Sequence, residues 1–416
     1  MTSHRAPRVG LFGLLGSGNL GNDGSLDAVV GYLRERHPAV QLGFLCKGPE
    51  RVRARYGVPA VHLQWNEARG TGTGVRAAVL KVVGKALDPF RTLAWVRRQD
   101  LVIVPGMGVL EATLPLRPWG FPYSLFWLCA FGRLTGTTVA LVGVGADVVR
   151  NRTTRRLMTQ AARFAQYRSY RDELSREAMR TMGVDVDSDE VYPDLAFALP
   201  TPSTDGVVPG TVGVGVMDYH GSDDDRDRAE RINRAYVDTM RRFVRRLVDE
   251  GREVRLFIGD EADASVVAEI LADAPMHRPG AGRLVAEPVR SLDDLMRQMA
   301  SVETVIATRY HNVLCALKLA KPTLSIGYAR KNDVLMSSMG LDGGFCQSAR
   351  EIDFELLVRQ FAALEARRDE LVETMRRRGT ANARRMEEQF AALSALLPPR
   401  AAPAHTTRTT VRSQEV

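Results

Sequence analysis

The chain has 416 residues, of which 45% are hydrophobic and 25% are charged. This composition is that of an ordinary globular protein, and it excludes the disordered, collagen-like and disulfide-scaffold classes. The 57 basic and 49 acidic residues give a formal charge of +8, but no dense basic run with interleaved aromatic residues is present, so we do not expect a nucleic-acid partner.

The four cysteines lie far apart and form no C-x-x-C pair, so neither a zinc site nor a redox pair is predicted. We interpret them as buried thiols in a reducing compartment, which favours a cytoplasmic protein. Residues 1–7 are short and polar, and we expect no secretory signal. The longest apolar stretch, residues 121–131, is shorter than the ~20 residues of a membrane span. No transmembrane segment is therefore predicted, and contact with a membrane surface stays open.

Short runs rich in Val, Ile and Leu alternate with segments of helical period in the first half of the chain. This alternation is typical of a parallel sheet with helices on both faces. The predicted strands are residues 9–14, 40–45, 101–104 and 138–144, and the predicted helices are residues 25–36, 75–97 and 123–134.

The alternation stops at residues 199–210, which contain Pro, Gly and small polar residues and are interpreted as a linker. It then restarts, with predicted strands at 212–217, 254–258, 302–307 and 323–326 and predicted helices at 225–250, 262–272 and 312–319. We therefore predict four segments: a Rossmann-like domain over 7–200, a second one over 210–350, a C-terminal helical segment over 351–397 and a disordered tail over 398–416.

The segment from Gly16 to Gly21 reads G-x-G-x-x-G between a predicted strand and a predicted helix. A dinucleotide site would also need an acid at the end of the second strand. That strand ends at Cys46 and Lys47, with no acid at its end. The alternative left open is a nicotinamide cofactor whose 2′-phosphate binds Lys47. A glycine-rich turn at a helix N-terminus favours an anion or an oxygen-rich ligand. A tight turn that needs glycine only for packing is the alternative interpretation.

Polar residues also follow two predicted strands further along the chain. Arg309 and His311 come directly after the strand at 302–307, at the carboxyl end where ligands bind in open α/β sheets. Arg171 opens a helix, where a cation opposes the helix dipole, which indicates a ligand or a buried ion pair. Asp194 is as compatible with a turn as with a site. Glu261 and Glu269 have the E-x7-E spacing of some glycosyltransferases, but we interpret them as solvated positions on a helix.

Three blocks of the sequence resemble the polysaccharide pyruvyl transferase family. The first is residues 16–26, similar to the family's Gly-x-Gly-Asn-x-Gly-Asp block. The second is residues 170–175, similar to its R-D-x-x-S element. The third is Arg309-x-His311 with Ala316, Pro322, Tyr328 and Lys331 downstream, and its spacing is the most specific of the three. The resemblance implies an α/β fold of two Rossmann-like domains facing across a cleft, of the GT-B kind.

The resemblance also implies a reaction and a set of site residues. The family transfers the carboxyethylidene group of phosphoenolpyruvate to sugar hydroxyls as a ketal. His311 is then the candidate for proton transfer, and phosphoenolpyruvate, an anion, calls for cations. The donor-binding candidates are Arg171, Arg309 and Lys331, and the acceptor or cleft candidates are Gly16, Gly18, Asn19, Asp23 and Asp194. No metal or cofactor is expected. The acceptor is a sugar, with linkage to a lipid left open.

Two other classes of function stay open at this point. A sugar-nucleotide glycosyltransferase would use the same fold with a nucleotide in the C-terminal domain. A binding protein that had lost transfer would also keep the fold, although the presence of both Arg309 and His311 argues against it.

Overall fold

The computed structural model describes residues 5–67, 75–111, 118–273, 283–341 and 343–398. The strands described are β1 (Arg8–Gly13), β2 (Gln41–Cys46), β3 (Ala60–His62), β4 (Leu101–Pro105), β5 (Thr138–Val144), β6 (Tyr167–Tyr170), β7 (Glu190–Val191), β8 (Val212–Gly215), β9 (Val254–Phe257), β10 (Leu284–Val285), β11 (Thr304–Ala307), β12 (Thr323–Gly327) and β13 (Cys346–Ser348). The helices described are α1 (Leu20–Arg36), α2 (Pro49–Tyr56), α3 (Val75–Val96), α4 (Phe121–Thr135), α5 (Arg152–Phe164), α6 (Glu173–Thr181), α7 (Ala229–Asp249), α8 (Ala264–Leu271), α9 (Leu292–Ala300), α10 (Tyr310–Lys318), α11 (Arg330–Ser338), α12 (Phe354–Ala366) and α13 (Arg368–Ala395).

The strands form two parallel sheets, one in each half of the chain. Their strand orders are β3-β2-β1-β4-β5-β6-β7 and β10-β9-β8-β11-β12-β13. The central strands are buried almost completely, because helices cover both faces of each sheet. This is the predicted α/β architecture, and every strand predicted for the first half forms within a residue or two of its expected bounds.

The C-terminal segment is a pair of helices that connects the two halves. Helix α12 packs on the second half, where Phe361 contacts the ring of Phe243. The long helix α13 returns to the first half, where Phe390 stacks on Tyr32 with ring centroids 4.3 Å apart. Packing of this pair against both sheets stabilises their mutual placement. The predicted tail lies outside the described residues apart from its first position, Pro398.

None of the helices among the described residues is both long and apolar enough to cross a membrane.

Candidate functional site

Both sheets present the same kind of crevice to each other. In each sheet the strand order reverses once, between β1 and β4 in the first and between β8 and β11 in the second. Ligands of open α/β sheets bind outside the carboxyl ends of the strands at such a reversal. The segments that follow these strands meet. Asn19, after β1, lies against Asp260, which follows the neighbouring strand β9, and Gly21, in the first turn of α1, lies against the ring of His311 in the first turn of α10. The candidate site is the space where the two crevices join.

A group of charged side chains from both halves lies at this junction, and we call it the ion-pair cluster. Its members are Glu111, Arg171, Asp194, His311 and Lys331, with the ring of Tyr310 among them. They come from the loop after β4, the end of β6, the start of a 3-10 helix and the first turns of α10 and α11. Three of the members were predicted as donor-binding or catalytic residues and one as a cleft residue.

Arg171 is at the centre of the cluster. Its side chain is 3% exposed and donates to Asp194 Oδ2 at 3.3 Å and to Glu111 Oε1. The guanidinium also lies 4.5 Å from the ring centroid of Tyr310, a cation–π distance. Burial opposes the charged form, but the carboxylates around it outweigh burial and raise the pKa of Arg171 well above its usual value. Arg171 is therefore a fixed positive charge, explaining the cation at the helix start as a buried ion pair.

Glu111 connects the two halves electrostatically. One of its oxygens accepts from Arg171 and the other from Lys331 Nζ at 2.7 Å. Burial lowers the pKa of Lys331, whereas Tyr328 and Glu111 raise it, and the net direction is upward. Asp194 and Asp172 also face Arg171, the latter with its Oδ2 3.7 Å from Arg171 Nε. Three carboxylates thus surround the two cations, so these residues carry no excess positive charge for an anionic ligand. Sequence reasoning missed Glu111, which lies three residues after the glycine-bearing turn at residues 105–108.

His311 is the second residue of α10 and points at this cluster. Its Nε2 lies 3.8 Å from Asp194 Oδ2, too far for a hydrogen bond, and it has no hydrogen-bond partner within the described part of the chain. Burial lowers the pKa of His311 to about 4; Asp194 opposes that change, while Arg171 and Lys331 add to it. The imidazole is therefore neutral at pH 7, so it can accept a proton but does not act as a general acid in this form.

Arg309 belongs to a second, separate group. Two nitrogens of its guanidinium donate to the fully buried Asp263, Nε to Oδ2 at 2.9 Å and Nη2 to Oδ1 at 2.6 Å. The same carboxylate accepts from the backbone N–H of Asp218, Gly259 and Asp260. Arg309 and Arg171 thus bind different acids, and the structure pairs Arg171 with Lys331 instead. Asp263 lies two residues after Glu261 and gave no sequence signal of its own.

The conformation of the glycine-rich turn is fixed by close backbone packing and by a hydrogen bond to Asp23. Gly16 has a φ of +69° and Gly18 of +91°, and a side chain on Gly16 would meet the carbonyl of Gly48 at 2.4 Å. Asp23 accepts from the N–H of Gly16 at 2.7 Å, and burial raises its pKa to about 6. The packing interpretation of the glycines is thus part of the explanation.

Asn19 has two contacts, one in each half of the chain. Its side-chain oxygen caps α1 by accepting from Asn22 N–H at 3.2 Å, and its amide donates to Asp260 Oδ2 at 3.0 Å. Asn19 therefore links the two crevices directly, and a ligand that used its amide would have to replace the bond to Asp260.

Comparison with known proteins gives a family and a fold. The family model for polysaccharide pyruvyl transferase matches residues 19–330. No curated protein matches the sequence. Among solved structures, Anabaena Alr3699/HepE in complex with UDP is 11% identical, with a TM-score of 0.57 over 94% of this chain and 99% of that one. The UDP-GlcNAc 2-epimerase of Neisseria meningitidis is also 11% identical, with a TM-score of 0.56 over 94% and 100%. The epimerase of Methanocaldococcus jannaschii is 12% identical, with a TM-score of 0.54 over 85% and 92%. At these identities the similarity shows the GT-B-like fold alone.

Proposed function

We propose, from the premise that the chain belongs to the polysaccharide pyruvyl transferase family, that it transfers the carboxyethylidene group of phosphoenolpyruvate to two hydroxyls of a sugar. The product is a cyclic ketal, and inorganic phosphate leaves. The observation that carries the proposal is the convergence of Arg171, Lys331 and a neutral His311 at the junction of the two sheets.

Phosphoenolpyruvate is an anion and needs cations to bind it. In the cluster it can reach them only by replacing a carboxylate that already binds them. Arg171 and Lys331 are both bound to Glu111. A carboxylate of phosphoenolpyruvate has the same geometry as the carboxylate of Glu111, so it can take over the same two cations. The planar guanidinium of Arg171 can then bind that carboxylate with two parallel hydrogen bonds.

The reaction needs a base that becomes an acid. The first sugar hydroxyl attacks C2 of the donor and loses its proton, and the methylene carbon C3 gains one. The bond from C2 to the phosphate oxygen then breaks, the second hydroxyl attacks C2, and its proton leaves with the phosphate. Neutral His311 is suited to take the hydroxyl proton, and the negative charge of the donor stabilises the imidazolium so formed. The imidazolium delivers a proton to C3 as the bond from the sugar oxygen to C2 forms, so no free carbanion arises.

The sugar enters from the side of the glycine-rich turn. Asn19 and Asp23 carry short polar side chains suited to sugar hydroxyls, and the donor's anions are drawn to the ion-pair cluster. We expect Asn19→Ala to weaken acceptor use and to leave donor binding nearly unchanged. An Asn19 variant impaired only toward phosphoenolpyruvate would contradict this placement. Gly18→Val would block the donor if the turn held donor phosphate instead.

The experiment combines product mass and phosphate release. The full chain is incubated with phosphoenolpyruvate and a panel of lipid-linked and nucleotide-linked sugars, and both readouts are recorded. We expect a sugar that gains one carboxyethylidene group for each phosphate released. His311→Ala should lower turnover by about 10²-fold or more, whereas the control His220→Ala, at a surface histidine paired with Asp218, should not.

The competing function is a sugar-nucleotide glycosyltransferase. Anabaena Alr3699/HepE was solved with UDP, which concerns that protein and shares only a fold with this one. The E-x7-E pair gives little support, since Glu261 is an exposed partner of Arg51 and Glu269 an exposed partner of Arg241. Sugar transfer from a UDP-sugar without any phosphate release from phosphoenolpyruvate would favour this alternative and refute the proposal.

A further inference from the structure

Helix α3 presents an apolar stripe to the solvent. Its large exposed side chains follow each other at spacings of one, three or four residues and therefore lie on one helix face. They are Val79 (54% exposed), Val82 (71%), Val83 (40%), Leu87 (38%) and Phe90 (71%). Isolated exposed apolar residues are ordinary, but a continuous stripe of this length marks an interaction surface.

The opposite face of α3 is fixed to the protein by polar contacts. Asp88 is buried and accepts from the N–H of Trp65 at 2.8 Å, and Arg91, paired with Asp88 on the same helix, donates to the carbonyl of His62 at 3.2 Å. The backbone carbonyl of Lys85 accepts from the hydroxyl of Tyr123 at 3.1 Å. These contacts set the rotation of the helix, so the apolar stripe faces outward as a consequence of the fold.

Trp119 extends the apolar surface beyond the helix. Trp119 is 60% exposed, and its ring centroid lies 5.8 Å from that of Tyr123, which contacts Lys85. Trp119 lies two residues before the start of α4 at Phe121. Because each helix runs antiparallel to the parallel strands it connects, the first turns of α3 and α4 lie toward the carboxyl edge of the first sheet. The candidate site lies at that same edge.

The charges around the stripe are positive. Residues 75–98 contain six basic residues and a single acid, the buried Asp88. By helical period Lys85 and Arg91 border the stripe on its two sides, and Arg97 and Arg98, just beyond the end of the helix, are exposed. An apolar helix face with a tryptophan at its edge and basic residues around it has the composition of a helix that lies in a membrane interface. Basic residues next to such a face are attracted by anionic headgroups.

We propose that the stripe Val79, Val82, Val83, Leu87 and Phe90, together with Trp119, docks the protein on the surface of an anionic lipid bilayer. A second copy of the chain fits the surface less well. In a two-fold contact the same patch faces itself, so the basic residues would meet their own equivalents. An anionic bilayer offers both an apolar layer for the stripe and negative charge for its flanks. One consequence, which rests on the proposed function, is that the sugar acceptor is carried by a lipid in the same membrane.

Vesicle flotation of the full chain tests the docking surface. We expect binding to vesicles that combine phosphatidylcholine with phosphatidylglycerol, and much weaker binding to phosphatidylcholine alone or in high salt. Phe90→Glu and Val82→Glu should each weaken binding by about tenfold or more, because a charge enters the apolar layer. The control Val208→Glu changes an exposed valine (48%) outside this surface and should bind as the parent does.

Two further measurements make the outcomes decisive. Trp119 fluorescence should shift to shorter wavelength with anionic vesicles, and Trp119→Phe should remove that shift. Equal binding by the parent and the Phe90→Glu variant would overturn the proposal. A lipid-free dimer that Phe90→Glu dissociates would also overturn it, since the stripe would then be an interface between copies. Calorimetry with phosphoenolpyruvate should give the same affinity for the parent and Phe90→Glu, so loss of docking and failure of the proposed function are separate results.

Discussion

The protonation of His311 gives the sharpest test of the candidate site. Its pKa is lowered to about 4 by burial, although Asp194 opposes the change. Against an ordinary value of about 6.5, the difference of about 2.5 units corresponds to about 3.4 kcal/mol against the imidazolium form. At pH 7.5 only about one molecule in three thousand carries the charge. The free protein thus holds a neutral imidazole.

Nuclear magnetic resonance of the imidazole ring measures this value directly. The signal of His311 is assigned by its loss in His311→Gln, and its midpoint is followed between pH 3.5 and 8. We expect a midpoint near 4 in the free protein and a higher one with phosphoenolpyruvate, whose negative charge stabilises the imidazolium. Asp194→Asn removes a charge that raises the pKa and should move the midpoint further down. A free-protein midpoint at or above 6.5 would refute the assignment of burial as the dominant effect.

The same shift makes stability depend on pH in a defined direction. The unfolded chain takes up a proton near pH 6.5 and the folded chain near pH 4, so the unfolded state binds more protons between these values. Stability is therefore lost as the pH falls through this window, by about 2 kcal/mol at pH 5 relative to pH 7.5. The His311→Gln variant lacks this contribution. Urea unfolding of both proteins at the two pH values should differ by that amount, and an equal pH dependence would contradict the reasoning.

Three further changes test the packing and the charges of the site. Gly21→Ala places a Cβ 1.9 Å from the imidazole of the cluster and should lower turnover by about 10²-fold. The control Gly31→Ala, on the same helix, meets nothing within 4 Å and should increase the free energy of unfolding by at most about 1 kcal/mol. Glu111→Gln removes the charge that both cluster cations share and should lower the free energy of unfolding by about 3 kcal/mol, with phosphoenolpyruvate raising the melting temperature of the variant more than that of the parent. Arg309→Lys loses the two-bond contact with Asp263 and should lower the free energy of unfolding by about 2 kcal/mol. Calorimetry should show a smaller loss of donor affinity for Arg309→Lys than for Arg171→Lys.

The two sheets could be predicted from the sequence because their central strands are apolar throughout. Strand β4 (Leu101–Pro105) and strand β5 (Thr138–Val144) are buried on both faces, and such strands appear as continuous apolar runs. The edge strands β7 and β10 have two residues each. No run of that length differs from a loop in composition, so these strands could not be predicted from sequence alone.

The site was only partly predictable because long-range packing assembles it. Arg171 and Glu111 are 60 residues apart, and Lys331 is 220 residues from Glu111. Nothing in local sequence records such a contact. Asp194 could not be assigned from the sequence because it is both a turn residue and a residue of the candidate site. One oxygen caps a 3-10 helix by accepting from Ala196 N–H, and the other accepts from Arg171.

The charge balance of the cluster also explains why proton transfer should depend on the donor. The two cations are neutralised by carboxylates, and burial favours the neutral form of His311. If the donor carboxylate takes over the cations from Glu111, its phosphate adds negative charge that no cation of the cluster has yet balanced. A protonated His311 is the nearest group able to balance that charge, so the imidazole becomes a stable proton carrier only when the donor is present. The low pKa of His311 in the free protein and its action as an acid during the reaction then have the same cause, the charges that surround the imidazole.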